Sequence, residues 1–222
     1  MIEAIGVGLT YPDGTTALKG IDLQIASGEV VYITGPSGSG KTSLLKLLMG
    51  MEYPTEGSLK VLGQAIAEGQ ESGIRKLRQV IGPVFQEFKL IRGRTAMENV
   101  MLGLRFLDFT PGKAKQRAYE ALVKVGLEHK AFSPVENLSW GQCQRVAIAR
   151  AIARKPVLIL ADEPTGNLDR ENAINILNLL TEAKEKETTV LITTHATHFI
   201  EGKKNSMLIR MYRGNICCER LG

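Results

Sequence analysis

Long apolar runs are missing from this chain of 222 residues, and no stretch approaches the ~18 residues that a membrane span requires. The first residues, Met1-Ile2-Glu3-Ala4, lack the basic-then-apolar pattern of a secretory leader, so the chain is expected in the cytoplasm. Cysteine is scarce: Cys143, Cys217 and Cys218 include no C-x-x-C metal pair and read as reduced bystanders. Strong charge of one sign is lacking too. A formal +5 is spread along the chain, too diffuse to argue for nucleic acid, though it suits an acidic partner or an anionic membrane surface. Internal repeats and low-complexity segments are also absent. The remainder, 44% hydrophobic and 23% charged, is that of an ordinary globular protein with ample core for one large or two small domains.

Against that plain background one stretch stands out. Gly35-Pro36-Ser37-Gly38-Ser39-Gly40-Lys41-Thr42 fits G-x-x-x-x-G-K-[ST], the loop that cradles nucleotide phosphates. Val30–Thr34 before it reads as a buried strand, and Ser43–Met49 behind it as an apolar-faced helix. Glycines let the backbone curl so that successive N–H groups face phosphate oxygens at a helix N-terminus. Lys41 is a compact cation placed to reach the β- and γ-phosphates, and the Thr42 hydroxyl suits Mg²⁺. Residues Gly35 to Ser43 are therefore the expected phosphate site.

Around this loop the chain alternates. Strand patterns at Ile2–Leu9 and Leu18–Ile25 flank the turn Pro12-Asp13-Gly14, and Tyr11 is either a core aromatic or a platform for a nucleotide base. Ser58–Gly63 reads as an edge-type strand, Ile74–Arg78 as a short helix, and Val80–Phe85 as a core strand ending at Gln86. From about 87 to 154 the texture is helical. Thr95–Leu107 opens with the capping box Thr95/Glu98, Pro111 starts a second helix, and Ser139 a third. Val157–Ala161 is an apolar strand of the parallel kind, followed by a helix at about 171–185, the strand Thr188–Thr193 and two short closing strands. Asp162 and Glu163 follow Val157–Ala161, where open α/β sheets bind ligands. Asp162 suits Mg²⁺, and Glu163 suits polarising the water that attacks a γ-phosphate.

Leu138-Ser139-Trp140-Gly141-Gln142 resembles the L-S-G-G-Q signature of the ATP-binding cassette (ABC) ATPases. The spacing of Gln86, this signature, Asp162-Glu163, Gly166-Asn167-Leu168-Asp169 and His195 is similar to that family across nearly the whole chain. The resemblance implies an α/β fold of P-loop type. It would have a RecA-like parallel core, an N-terminal antiparallel β-subdomain and a helical subdomain at 87–154, all in one domain over 1–222. It implies ATP hydrolysis with Mg²⁺ held by Thr42, Gln86 and Asp162. It also implies Tyr11 on adenine, Gln86 on the attacking water, and Asp169 in a loop crossing a dimer interface. His195 would hold the γ-phosphate and orient Glu163, with Lys41 completing the catalytic set. Ser139, Gly141 and Gln142 would face ATP held by a second copy, so two chains close head to tail on two ATP. His129 and His198 are left as structural.

Trp140 departs from the family's usual glycine. If the site demands a left-handed backbone, tryptophan there costs ~1–2 kcal/mol; if it is ordinary right-handed helix, the ring can turn aside at little cost. The expectation is weak dimerisation and slow hydrolysis in the isolated protein. One P-loop and one signature imply a peripheral subunit on the cytoplasmic face of the inner membrane, serving a separate integral membrane protein. Ile81–Ile91 and Arg94–Val100 resemble the FtsE type of cell-division ATPase, whose partner is FtsX. The lipoprotein-releasing and MacB types are the alternative. Phe88, Leu90 and Ile91 are read evenly as subdomain core or as part of a groove for the partner.

Overall fold

The computed structural model describes every residue except 167, 183 and 201. In its first half the chain forms β1 (Ile2–Thr10), β2 (Thr16–Ile25), β3 (Val30–Thr34), α1 (Lys41–Leu48), β4 (Glu56–Val61), β5 (Gln64–Ala65), α2 (Glu71–Val80) and β6 (Ile81–Val84). Three helices follow: α3 (Ala96–Leu102), α4 (Pro111–Lys124) and α5 (Trp140–Ile152). Then come β7 (Leu158–Ala161), α6 (Arg170–Glu182), β8 (Thr189–Thr194), β9 (Ser206–Tyr212) and β10 (Asn215–Leu221).

Six strands make the sheet that carries the phosphate loop, in the order β10-β9-β3-β8-β7-β6. Neighbours from β9 through β6 are parallel, and β10 returns antiparallel to β9. The continuous apolar runs of β3, β7 and β8 are explained by burial on both faces. Successive residues feed two separate cores. Val31, Ile33, Leu158, Leu160 and Leu191 pack with α1, α2 and the N-terminal strands, while Tyr32, Ile159, Ala161, Val190 and Ile192 pack with α3 to α6. The outer strand β6 carries Pro83, which has no N–H to offer a further neighbour.

The N-terminal sheet is antiparallel, in the order β2-β1-β4-β5. Alternating burial along β1 and β2 puts Ile2, Ala4, Leu23 and Ile25 on the core side. The edge assignment of residues 58–63 needs correcting. Two-residue β5 pairs outside β4 and takes the edge, because Leu62 and Gly63 turn the chain back in left-handed conformations.

Helix starts follow the capping chemistry. The Thr95 hydroxyl accepts from Glu98 N–H (3.2 Å) and the Glu98 carboxylate from Thr95 N–H (2.7 Å). Pro111 occupies the first turn of α4 behind the cap Thr110. Helix α3 stops at Leu102 rather than Leu107, and the chain continues in turns. Gly103 follows it, and a side chain there would sit 2.8 Å from Arg150 Cγ.

Candidate active site at the phosphate loop

Parallel register brings the loops after β3, β6, β7 and β8 to one end of the sheet, with Thr34 level with Thr194 and Ala161 with Val84 and Ile192. There the chain turns from Thr34 into the phosphate loop. Two of its glycines are obligatory. Gly35 has φ 156° and Gly40 φ 105°, and a Cβ would fall 2.3 Å from Met211 O at the first and 2.6 Å from Ala17 O at the second. Gly40 caps α1 without any side-chain hydrogen bond, which leaves the first-turn N–H groups facing the cavity. The Ser39 hydroxyl is buried and has no hydrogen-bond partner among the described residues.

Lys41 is buried at the start of α1. Its Nζ donates to Gly35 O (2.8 Å) and Pro36 O (3.1 Å) and lies 3.3 Å from Glu163 Oε1. The other oxygen of that carboxylate, Oε2, accepts from His195 N–H (3.2 Å) and lies 2.8 Å from His195 Nδ1. Glu163 is thus held between a cation and an imidazole. Its backbone is left-handed, φ 45°, a conformation an L-residue keeps only under constraint. The constraint is visible. Thr193, fully buried on β8, accepts from Glu163 N–H (2.8 Å) and donates from the same hydroxyl to Asp162 Oδ1 (2.8 Å).

A cavity of about 600 Å³ joins these groups, lined by Tyr11, Ser37 to Ser43, Gln86, Glu163 and His195. Asp162, next to Glu163 in the chain, is buried against Thr193 and is not among the residues lining this cavity, while Gly35 and Pro36 line a smaller adjoining one with His195. Tyr11 lines the large cavity, its hydroxyl 3.0 Å from Ser43 Oγ. Thr15, Thr16 and Ala17 line it too and escaped the sequence reading, since nothing in a polar turn marks them. The metal-binding potential is all oxygen: the Thr42 hydroxyl, the Gln86 amide and the Asp162 carboxylate. That donor set fits a hard cation such as Mg²⁺, which takes few protein ligands and shares the rest with phosphates. Among the described residues no cluster of three His, Cys, Asp or Glu side chains offers a softer site.

The signature residues are elsewhere. Ser139, Gly141 and Gln142 line a separate cavity of about 460 Å³ together with Asp169. Ser139 caps α5 with a reciprocal box: its hydroxyl accepts from Gln142 N–H (3.3 Å), and Gln142 Oε1 accepts from Ser139 N–H (2.9 Å). Trp140 occupies the first helical position without a left-handed backbone, so the strained alternative does not arise. Its ring turns aside, edge-on to Phe88 at 4.5 Å, and its Nε1–H donates to Gly166 O (3.2 Å). Phe88 is buried, Leu90 half-buried against the helical core, and Ile91 exposed. Asn167 lies outside the described residues.

The ABC transporter family model matches residues 18–166. The cell division ATP-binding protein FtsE of Bacillus subtilis is 39% identical over 208 residues, covering 94% of this chain and 91% of that protein. The L-cystine transport system ATP-binding protein TcyN of Escherichia coli is 45% identical over 193 residues, 84% of this chain and 77% of that one. Among solved structures, the dimeric post-hydrolysis state of the ATP-binding cassette MJ0796 bound to ADP and Pi superposes with a TM-score of 0.88. It is 35% identical and covers 100% of this chain and 99% of that one.

Proposed function

The chain belongs to the ABC transporter family and is an ABC-type ATPase, and from that premise we propose how its residues act and what they drive. The observation that carries the reading is the convergence of Lys41 and His195 on the Glu163 carboxylate in the cavity lined by the phosphate loop and Gln86. Tyr11 takes the base, and Gly35 to Ser43 take the phosphates, with the orphaned Ser39 hydroxyl among the donors that receive them. Phosphate oxygens compete for Lys41 with the neutral carbonyls of Gly35 and Pro36 and with one Glu163 oxygen, and the multiple charges of a triphosphate outweigh that set. Once Lys41 turns to phosphate, Glu163 is free to accept a proton from the water attacking the γ-phosphorus, giving ADP and phosphate. His195 keeps Glu163 aimed and reaches the γ-phosphate, and Gln86 orients the water. Thr42, Gln86 and Asp162 would hold Mg²⁺, which when bound neutralises charge on the phosphates.

Ser139, Gly141 and Gln142 cannot complete this cavity from within the same chain, because they line a different one. A head-to-tail homodimer supplies them in trans, and Asp169 belongs to the loop at that seam. The relatives named FtsE, matched over nearly the full length of both chains, support a cell-division role. The partner in that role is an integral membrane protein of the FtsX kind, bound at the cytoplasmic face, with no nucleic acid involved. No helix among the described residues is long and apolar enough to cross a membrane.

The test pairs two variants. Glu163→Gln is expected to lower turnover by at least ~100-fold while ATP binding persists, and Lys41→Ala to weaken ATP binding itself. Multiple turnovers by Glu163→Gln at the wild-type rate would remove Glu163 from the role of base. Co-purification with a four-span membrane protein supports the cell-division reading, and co-purification with a solute permease or a nucleic acid overturns it.

A further inference from the structure

Between Gln86 and α3 the chain makes a turn of unusual backbone. Phe88 and Lys89, neither of them glycine, are both left-handed, with φ 58° and 50°. L-residues do not take up two such conformations in succession unless something outside the turn imposes them. The external agent is Arg150, in the last turn of α5. Its Nη1 donates to Lys89 O (2.7 Å) and its Nη2 to Phe88 O. No carboxylate of the described residues lies within 4.0 Å of this guanidinium, so its hydrogen bonds go to carbonyls and not to an anion. Burial, with Arg154 nearby, pushes its pKa down to about 10, still charged at neutral pH. A desolvated cation without an anionic partner is costly, and its carbonyl contacts are what it gains in return.

We propose that Arg150 is a positioning residue for Gln86: by gripping the carbonyls of Phe88 and Lys89 it holds the left-handed pair and so fixes where Gln86 enters the catalytic cavity. The far end of the same loop is clamped separately. Asn99, fully buried on α3, accepts from Ile91 N–H (2.7 Å) and donates to Ile91 O (3.1 Å). With Asn99 and Arg150 both holding it, the five-residue stretch after Gln86 has no slack, and a shift of α5 is passed to the amide. Arg154 provides a comparison built from the same chemistry. It donates to Arg78 O (2.6 Å) and Gln79 O (3.1 Å) at the end of α2, ahead of β6 and away from the turn at Phe88 and Lys89.

This inference rests on the proposed role of Gln86, and the experiment separates the two. ATPase kcat and KM, nucleotide affinity and thermal midpoint are measured on the purified full chain for Arg150→Met, Arg150→Lys, Arg154→Met and the double variant Arg150→Met/Lys89→Gly. Misplacing a reactive group by about 1 Å costs on the order of 100-fold, so Arg150→Met is expected to lower kcat by about 10- to 100-fold with KM within about threefold. Arg150→Lys, which reaches one carbonyl but lacks the fork, falls between. Glycine adopts φ > 0 without constraint, so Lys89→Gly is expected to restore kcat of the Arg150→Met chain by at least about fivefold. Arg154→Met is expected to lower the midpoint while kcat stays within about twofold.

If Arg150→Met does not fold, Lys89→Val alone asks the same question, since a β-branched residue resists φ > 0. Its kcat is expected to fall about 10-fold, and Lys89→Gly alone to stay within about twofold. A full kcat in folded Arg150→Met or Lys89→Val overturns the proposal. So does a loss in Arg150→Met that Lys89→Gly leaves untouched. An unchanged kcat in Gln86→Ala would instead strike the parent reading, the role of Gln86 itself.

Discussion

Replacing Thr193 by valine tests the catalytic strand end more sharply than any change to the carboxylates themselves. Valine has nearly the shape of threonine, so the change deletes a hydroxyl and little else from a fully buried position on β8. That hydroxyl makes two bonds of 2.8 Å, one given to Asp162 Oδ1 and one received from Glu163 N–H. A hydrogen bond to a carboxylate contributes about 1.5–3 kcal/mol, and a buried N–H left without a partner costs about 1–3 kcal/mol. Because the two bonds share one oxygen they do not add fully, and a net loss of about 3 kcal/mol is expected. For a chain of this length that lowers Tm by roughly 6–12 °C. The second effect is on chemistry. With its N–H released, Glu163 loses what keeps it at φ 45°, and its carboxylate drifts from the place set by Lys41 and His195. A fall in kcat of about 10- to 100-fold follows, with ATP affinity within about threefold, because Thr193 is not among the residues lining the phosphate cavity. Thr193→Ser, which keeps the hydroxyl, should restore most of the activity. Calorimetry and a steady-state phosphate-release assay read both effects. A Tm within about 2 °C of wild type and an unchanged kcat for Thr193→Val would refute the claim that this hydroxyl braces the site.

Trp140→Gly removes the edge contact with Phe88 and the bond to Gly166 O, and is expected to lower stability by about 1–2 kcal/mol in denaturant titration. In a Glu163→Gln background it is expected to raise the fraction of ATP-driven dimer in light scattering, and an unchanged fraction would show that bulk at this position does not limit docking. Acid should weaken two helix starts. Thr95 N–H holds the Glu98 carboxyl below its ordinary pKa, and Asn172 N–H does the same for Asp169 at the start of α6. Their stabilisation is therefore present above the unfolded values near pH ~4 and is lost as pH falls through the lower folded values. Denaturation midpoints between pH 5 and pH 3 should fall, and Glu98→Gln should flatten that slope.

What could be read from sequence was what local chemistry dictates. The phosphate loop, the runs around Val30–Thr34 and Val157–Ala161, the box at Thr95/Glu98 and the helix start at Ser139 each depend on residues within a few positions of one another. Features set by distant parts of the chain were hidden. The strand β5 is two residues long, too short for any alternation to register. Gly103, just past the end of α3, packs closely against Arg150, 47 residues further on in the numbering, and the capping box at the start of α3 says nothing about where the helix ends. Thr193 looked like one more residue of an apolar strand, two places before a histidine. Only its partners on β7's exit give it meaning. The meeting of His195 with Glu163 came from family resemblance, since no spacing rule links residues 32 apart.

Pro83 on the outermost strand has a consequence for how anything can approach the catalytic end. Most exposed sheet margins invite a stranger's main chain to zip alongside, a union that is long-lived and hard to reverse. Here the margin beside Gln86 breaks the row of donors that such zipping needs. A visitor on this flank has to grip side chains and loop carbonyls, contacts that can be made and released at every round of ATP use.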